Sequence, residues 1–412
     1  MKCTTYRLSL KRKRFPRKRF STFAPVPSSS ENMQLIAKTM FGMEPLLMDE
    51  LKVLGATEIV PLTRAVSFQG DLKLLYQANL HLRTALRILL PIYQFSARNT
   101  EELYRKIGAY DWSQHLSNDK TFAINSSVSS SFFNHSQYVS LKSKDAIVDQ
   151  FRENTGKRPS IDLENPDIRL NIHVTESNIS VSLDASGDSL HKRGYRITGH
   201  QAPLNEVLAA GLVKLSGWSP DQPLIDPMCG SGTLLFEAAM MASHIPPNLN
   251  RSSFGFMNWP NFDEALWNEV VEEARTAITQ PALNMQGSDV SPKSIYLSET
   301  IAGNLGLADR ISFERKSFQR LPLTYDSGMV IMNPPYGIRM EEEDLAGLYK
   351  MIGDRLKAAY AGFDAWILSA NNTALKYIGL HPSRKITVFN GSIECKFQKF
   401  SLYKGSRKAG KN

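Results

Sequence analysis

The sequence predicts an α/β protein: a Rossmann-like sheet in the C-terminal half, preceded by smaller α+β units. Three observations predict it. An apolar run ends in an acid, crosses a small-residue loop and enters a helix at Leu224-Ile225-Asp226-Pro227-Met228-Cys229-Gly230-Ser231-Gly232-Thr233-Leu234-Leu235, the strand–turn–helix opening of such a sheet. A second apolar strand ends in Asn333-Pro334-Pro335-Tyr336 about a hundred residues later. Between residues 199 and 403, strand patterns alternate with helical ones and close in an antiparallel hairpin.

Taken in order, the chain starts with an acid-free tail holding nine of its 49 basic residues within the first 30 positions. The other 382 residues carry 40 charges of each sign, so the net charge of +9 belongs to the tail. It is no argument that the folded body binds polyanions. Residues 1–31 read as an organellar transit segment, mitochondrial or chloroplast; the basic run 11–19 also reads as a nuclear address. No run of 18 apolar residues exists, so no membrane span is expected. Cys3, Cys229 and Cys395 lack zinc spacing, and no metal site is expected.

Residues 32–97 alternate as strand 34–39, helix 45–54, hairpin 58–62 with 65–69, a helix capped by Asp71 and running to 82, and strand 85–95. This β-α-β-β-α-β order predicts a ferredoxin-like domain. Residues 98–187 read as helix 100–110, strand 121–128, helix 144–154 and strands 169–174 and 178–183. A linker, 188–198, leads to the third domain, 199–404, with a short basic tail at 405–412. There Pro203 suits the first turn of a helix, and 245–265, rich in Pro and Trp, reads as an insertion near the site. Strands follow at 285–290, 311–314, 330–332 and 365–368. The hairpin 385–389 and 393–403 turns on Asn390-Gly391.

The loop after Asp226 suits close approach of a ligand, because Gly230 and Gly232 have no Cβ in the way. Ser231 and Thr233 are placed to cap the helix that follows. No Gly-x-x-x-x-Gly-Lys is present, so the loop is not a P-loop. Pro334 biases Asn333 to an extended conformation at the strand end, and the two prolines stiffen the turn.

Together the two stretches resemble class I S-adenosylmethionine-dependent methyltransferases that modify an exocyclic or amide nitrogen. The run Leu183-Asp184-Ala185-Ser186-Gly187-Asp188-Ser189-Leu190-His191-Lys192-Arg193-Gly194-Tyr195-Arg196 resembles the end of the THUMP domain and the linker of bacterial ribosomal RNA guanine-N2 methyltransferases of the RlmL type. Gly199 to Glu206 is similar to that family's segment before the cofactor loop. The resemblance runs from about residue 32 to 404. It implies a Rossmann-like class I methyltransferase domain preceded by α+β ferredoxin-like and THUMP RNA-binding domains. The implied cofactor is S-adenosyl-L-methionine and the partner RNA, ribosomal first and transfer RNA second. Oligomeric state is not readable.

In this reading Asp226 helps hold the amino-acid end of the cofactor, with Met228, Cys229, Gly230, Ser231 and Gly232 forming the loop. Asp289, ending the second strand, accepts the ribose hydroxyls. Ser317 stands where many relatives carry an acid that reads the adenine amine. Asn333 and Pro334 supply two acceptors for the hydrogens of a base amine, and Tyr336 stacks on the extruded base. Lys142, Lys144, Lys157, Arg158, Arg193 and Arg196 are candidates for phosphate contacts, as is Lys192. The same motif chemistry also suits adenine N6 or a glutamine amide. A silent fold acting as a ribosome-assembly factor is the reading from outside enzymology.

Overall fold

A computed structural model describes residues 31–197, 204–336 and 342–403. The two basic tails and Pro203 lie outside these residues. In the first part β1 (Met33–Thr39), α1 (Glu44–Val53), β2 (Thr57–Leu62), β3 (Ala65–Gly70), α2 (Leu72–His81) and β4 (Ala85–Ser96) follow the expected ferredoxin-like order. Asp71 caps α2 by accepting the Leu74 N–H at 2.8 Å. Next come α3 (Thr100–Gly108), β5 (Thr121–Ser129), α4 (Ser136–Thr155), β6 (Ser160–Ile161), β7 (Ile168–Thr175) and β8 (Asn178–Asp184). Helix α4 begins eight residues before the sequence expectation, because its first two turns are serine-rich and carry little helical signal.

The two α+β units share one sheet. β4 pairs antiparallel with β8, so the eight strands run in the order β2-β3-β1-β4-β8-β7-β5-β6. Alternate residues such as Leu35, Phe68, Leu90, Leu170 and Val181 point to one face. There they pack with Leu47 and Leu51 of α1, Leu103 and Ile107 of α3, and Ala146 and Ile147 of α4 in a single core.

The second sheet is built from β9 (Leu224–Asp226), β10 (Met285–Asp289), β11 (Ile311–Arg315), β12 (Gly328–Met332), β13 (Phe363–Ser369), β14 (Arg384–Asn390) and β15 (Ile393–Ser401). Their order is β11-β10-β9-β12-β13-β15-β14, with β15 antiparallel to its neighbours. Helices α5 (Glu206–Ser216), α6 (Thr233–Ala242) and α8 (Pro292–Asn304) pack on one face; α9 (Glu342–Ala359) and α10 (Ala374–Tyr377) cover the other. Helix α5 is capped by Asn205, which accepts the Val207 and Leu208 N–H groups.

The insertion departs from expectation. Its aromatic residues Phe254, Phe256 and Trp259 belong to the core of the front sheet, not to the surroundings of the loop at 226–232. Its helix α7 (Glu264–Thr276) lies along α2, where Lys73 bridges Glu269 and Glu273 at 2.7 and 2.8 Å. Tyr76 of α2 contacts Phe256, Phe262 and Trp267. In return, Met40 and Met43 from the turn after β1 are buried in the core of the second sheet. Among the described residues no helix is long and apolar enough to cross a membrane.

Candidate active site

The chain leaves β9 for β10 and β11 on one side, then crosses to β12 on the other, so β9 and β12 flank the switch point of the sheet. Open α/β sheets bind ligands outside the carboxyl ends of their strands at that place. Val330 pairs with Ile225, and Gly287 with Asp226. The ends of β9, β10 and β12 therefore bring Asp226, Asp289 and Asn333 to one edge of the sheet.

The loop between β9 and α6 is fixed from several directions. Gly230 and Gly232 take φ of 53° and 78°, a region that disfavours a side chain. A Cβ on Gly232 would stand 2.9 Å from the Phe236 ring. The Gly230 N–H donates to Asp289 at 3.0 Å, and the Ser298 hydroxyl donates to the Gly230 carbonyl at 3.0 Å. The expected capping by Ser231 or Thr233 is not what the structure holds. Gly232 is the cap residue, and no side chain closes the helix start. The first N–H groups of α6 thus face the loop without a side-chain acceptor, as an anionic or dipolar ligand requires.

Asp226 is 2% exposed and accepts the Met228 N–H at 3.2 Å. Burial pushes its carboxyl up to about 8, and the Asp289 charge adds to the shift. The same burial and the same two acids hold the Cys229 thiol well above its ordinary value, so it stays protonated and serves as loop packing. Asp289 accepts from Gly230 through one oxygen and from Ser291 through the other, at 3.0 and 2.8 Å. Each oxygen keeps a second lone pair for a diol. Ser317, half-buried, stands at the start of a 3-10 turn just after β11, and the adjacent Lys316 N–H donates to the Asp289 carbonyl.

Asn333 carries the observation of most weight. Its side-chain oxygen is buried and has no hydrogen-bond partner. An unpaired buried acceptor costs about 1–3 kcal/mol, and such an atom at a strand end on a switch crevice is poised for a ligand N–H. Pro334 is buried beside it. The Tyr336 hydroxyl accepts from Asn390 Nδ2 at 3.0 Å, which ties the motif to the β14–β15 turn.

The basic candidates separate. Lys142, Lys144 and Arg158 line one cleft of about 470 Å³ with Tyr104 and Arg152. Lys142 Nζ lies 4.9 Å over the Tyr104 ring, and Lys144 pairs with Asp145. Lys157 is exposed beyond the end of α4, and Lys192 pairs with Asp188. Arg193 is a correction: its side chain is fully buried, bridges buried Glu237 at 3.4 Å and donates to the Arg83 and Leu190 carbonyls. It braces the two halves of the protein and cannot reach a phosphate. Arg196 is likewise engaged internally, with Glu206 at 2.6 Å and the Leu204 carbonyl.

Two supporting residues escaped sequence reasoning. Asn390 read only as a turn residue, and nothing local marks its bond to Tyr336. Ser298 left a faint trace: with Ser294 it puts two hydroxyls at i, i+4 on the buried face of α8.

Comparison with known proteins shows the family. Residues 193–399 match the family model described as RMKL-like, methyltransferase domain. Residues 97–184 match a THUMP domain, and 34–89 an RlmL ferredoxin-like domain. A ribosomal RNA large subunit methyltransferase K/L of Syntrophotalea carbinolica is 41% identical over 374 residues, covering 88% of this chain and 52% of that relative. The chain thus spans about half the length of that protein. A putative RNA methyltransferase of Synechocystis is 38% identical over 88% of this chain and 95% of its own length. Among solved structures, a putative methyltransferase, SMU.472, complexed with SAH, is 30% identical with a TM-score of 0.80, covering 91% of this chain and 99% of that one. The chain thus belongs to the RMKL-like methyltransferase family, with an S-adenosylmethionine-dependent class I domain carried behind a THUMP RNA-binding domain.

Proposed function

We propose that the protein methylates the N2 amine of a guanosine in large-subunit ribosomal RNA. The observation that carries this reading is the buried, unpartnered side-chain oxygen of Asn333. S-adenosylmethionine supplies a methyl group already activated on a sulfonium. Asp226 and the N–H groups at the start of α6 would hold its amino-acid end, Asp289 its ribose, and Ser317 its adenine. A serine accepts a hydrogen bond less strongly than the acid expected there.

An exocyclic amine is a weak nucleophile because its lone pair is delocalised into the ring. Asn333 Oδ1 and the Pro334 carbonyl accept its two hydrogens. They stabilise positive charge developing on nitrogen and direct the lone pair along the transfer axis. The departing proton can pass to solvent after transfer, so no strong base is required. Tyr336, its hydroxyl fixed by Asn390, offers its ring to the extruded base. Ribosomal RNA as substrate is supported by the name of the Syntrophotalea relative.

Replacing Asn333 by Ala removes the acceptor. Turnover on ribosomal RNA is expected to fall by about 10²–10³, with S-adenosylhomocysteine affinity by calorimetry retained. Unchanged turnover would sink the mechanism. Mass spectrometry of nucleosides from the treated RNA reads the target: N2-methylguanosine supports the proposal, N6-methyladenosine replaces guanine by adenine, and no product favours a silent assembly factor.

A further inference from the structure

All the helices of the front half lie on one face of the eight-stranded sheet. The other face carries no helix and crosses both α+β units. Its buried floor is mixed: Ser67 on β3, Ser182 on β8 and Asn171 on β7 lie among Leu89 on β4 and Ala123 on β5. Over them stand four cations. Lys38 is the direct cross-strand neighbour of Arg87, and Arg169 on β7 lies beside Asp184 of β8. Arg64 follows at the β2–β3 turn. The buried Asp184 answers the group through its bridge to Arg87, and the charges of Asp188 and Asp162 also act on Arg169.

The balance of charge on this face is not neutral. Lys38 makes no ion pair among the described residues; burial lowers its pKa and the Arg87 and Arg64 charges lower it further. The Arg169 Nε is buried without a partner. His173 is held by the Ser127 and Thr175 hydroxyls and its pKa is lowered, so it adds a neutral polar surface. Cations in excess of acids, with hydroxyls and amides between them, complement phosphates and sugar hydroxyls.

The face also lacks what a single-strand binder uses. Register puts the front sheet's aromatic residues, Phe68, Tyr93, Phe95 and Phe122, on the helical side. Among the described strand residues, no Phe, Tyr or Trp ring lies on this face to stack on an unpaired base. Eight strands at about 4.8 Å spacing make a surface about 34 Å across, broad enough for a helix. Its β1 end leads to the site: Phe41 meets Phe389 at 5.6 Å, and the next residue, Asn390, holds Tyr336.

We propose that the helix-free face of the continuous sheet, spanning both α+β units, docks a base-paired RNA segment through its backbone and so delivers an adjacent nucleotide to Asn333. The proposal rests on the RNA-methyltransferase reading and assigns its docking surface.

The test uses the full chain, an RNA hairpin of about 16 base pairs and an oligouridine of equal length as probes, with fluorescence anisotropy across a salt series. Wild type is expected to bind the hairpin more tightly than the single strand. Lys38→Glu on β1 and Asn125→Glu on exposed β5 reverse or add charge at two separate places, so one misfolded variant leaves the other informative. Each should weaken hairpin binding about tenfold, and Lys38→Glu should flatten the salt slope by about one unit. Retained S-adenosylhomocysteine affinity together with an unshifted unfolding transition certifies the fold. Hairpin affinity within twofold of wild type in both variants overturns the proposal, and so does equal binding of the oligouridine. Failure of the wild type to bind S-adenosylhomocysteine would strike the methyl-transfer reading instead and leave the RNA result to stand or fall alone.

Discussion

Asp226 shows how much of a residue's role is written in its neighbours. The sequence places it correctly, because an acid ending an apolar run beside a glycine loop is legible. Its protonation is not, since burial and the Asp289 charge arise only in the fold. The carboxyl titrates near 3.9 in the unfolded chain and near 8 in the folded protein. Between those values the folded state holds the proton, so the site's contribution to stability is lost as pH rises. Asp226→Asn keeps an acceptor for the Met228 N–H and cannot ionise. Its melting temperature should exceed that of wild type, by about 1 °C for each kcal/mol recovered in a chain of this size, and the gap should widen from pH 5 to pH 8. Cofactor affinity should fall about tenfold, because a bound ammonium would draw the proton off Asp226 and pair with the carboxylate, which Asn cannot form. A gap that stays constant with pH would refute the account. Arg193 is the opposite case. Inside a run of basic residues it reads as surface charge, because its partner Glu237 lies 44 positions away.

At the scale of elements, the strands were the legible part. They are short apolar runs punctuated by Gly, Pro and acids, and the Asn390-Gly391 turn marks its own hairpin. Helix α7 begins where the Pro- and Trp-rich stretch 245–265 ends, and nothing in the sequence marks its partner, α2. The start of α6 depends on space as well as conformation, and two glycines separate the effects. Gly217 and Gly232 have nearly equal φ, 74° and 78°, but an added Cβ meets nothing at Gly217 and the Phe236 ring at Gly232. Gly217→Ala should cost about 1–2 kcal/mol, the price of the left-handed backbone alone. Gly232→Ala should cost more and should also weaken S-adenosylmethionine binding at least tenfold, because the loop must shift. Chemical denaturation and calorimetry on both variants check this; equal effects would show that the ring contact is unimportant.

The whole molecule is joined more firmly than its three units suggest. Met43 packs against Gly211 of α5, where a Cβ would come within 2.5 Å of its sulfur. Arg83 and Arg193 run between the sheets, with Arg83 donating to the Met240 and Ile245 carbonyls. Arg193→Ala leaves the Glu237 carboxylate buried without its cation and should cost about 3–5 kcal/mol. Replacing both residues by Leu should recover much of that loss. The sign to look for is one unfolding transition shifted as a unit; a midpoint within a degree of wild type would show that the bridge is dispensable. None of these joints was visible in the sequence, because each links residues far apart along the chain. The pairing of β4 with β8 is of the same kind, and it bears on how the protein can be divided. A chain cut between residues 97 and 98 would open a seam through the middle of a sheet. Each fragment would carry a raw border of backbone N–H and C=O groups that seeks another strand. The places where family resemblance changes along this chain are therefore not the places where the protein comes apart.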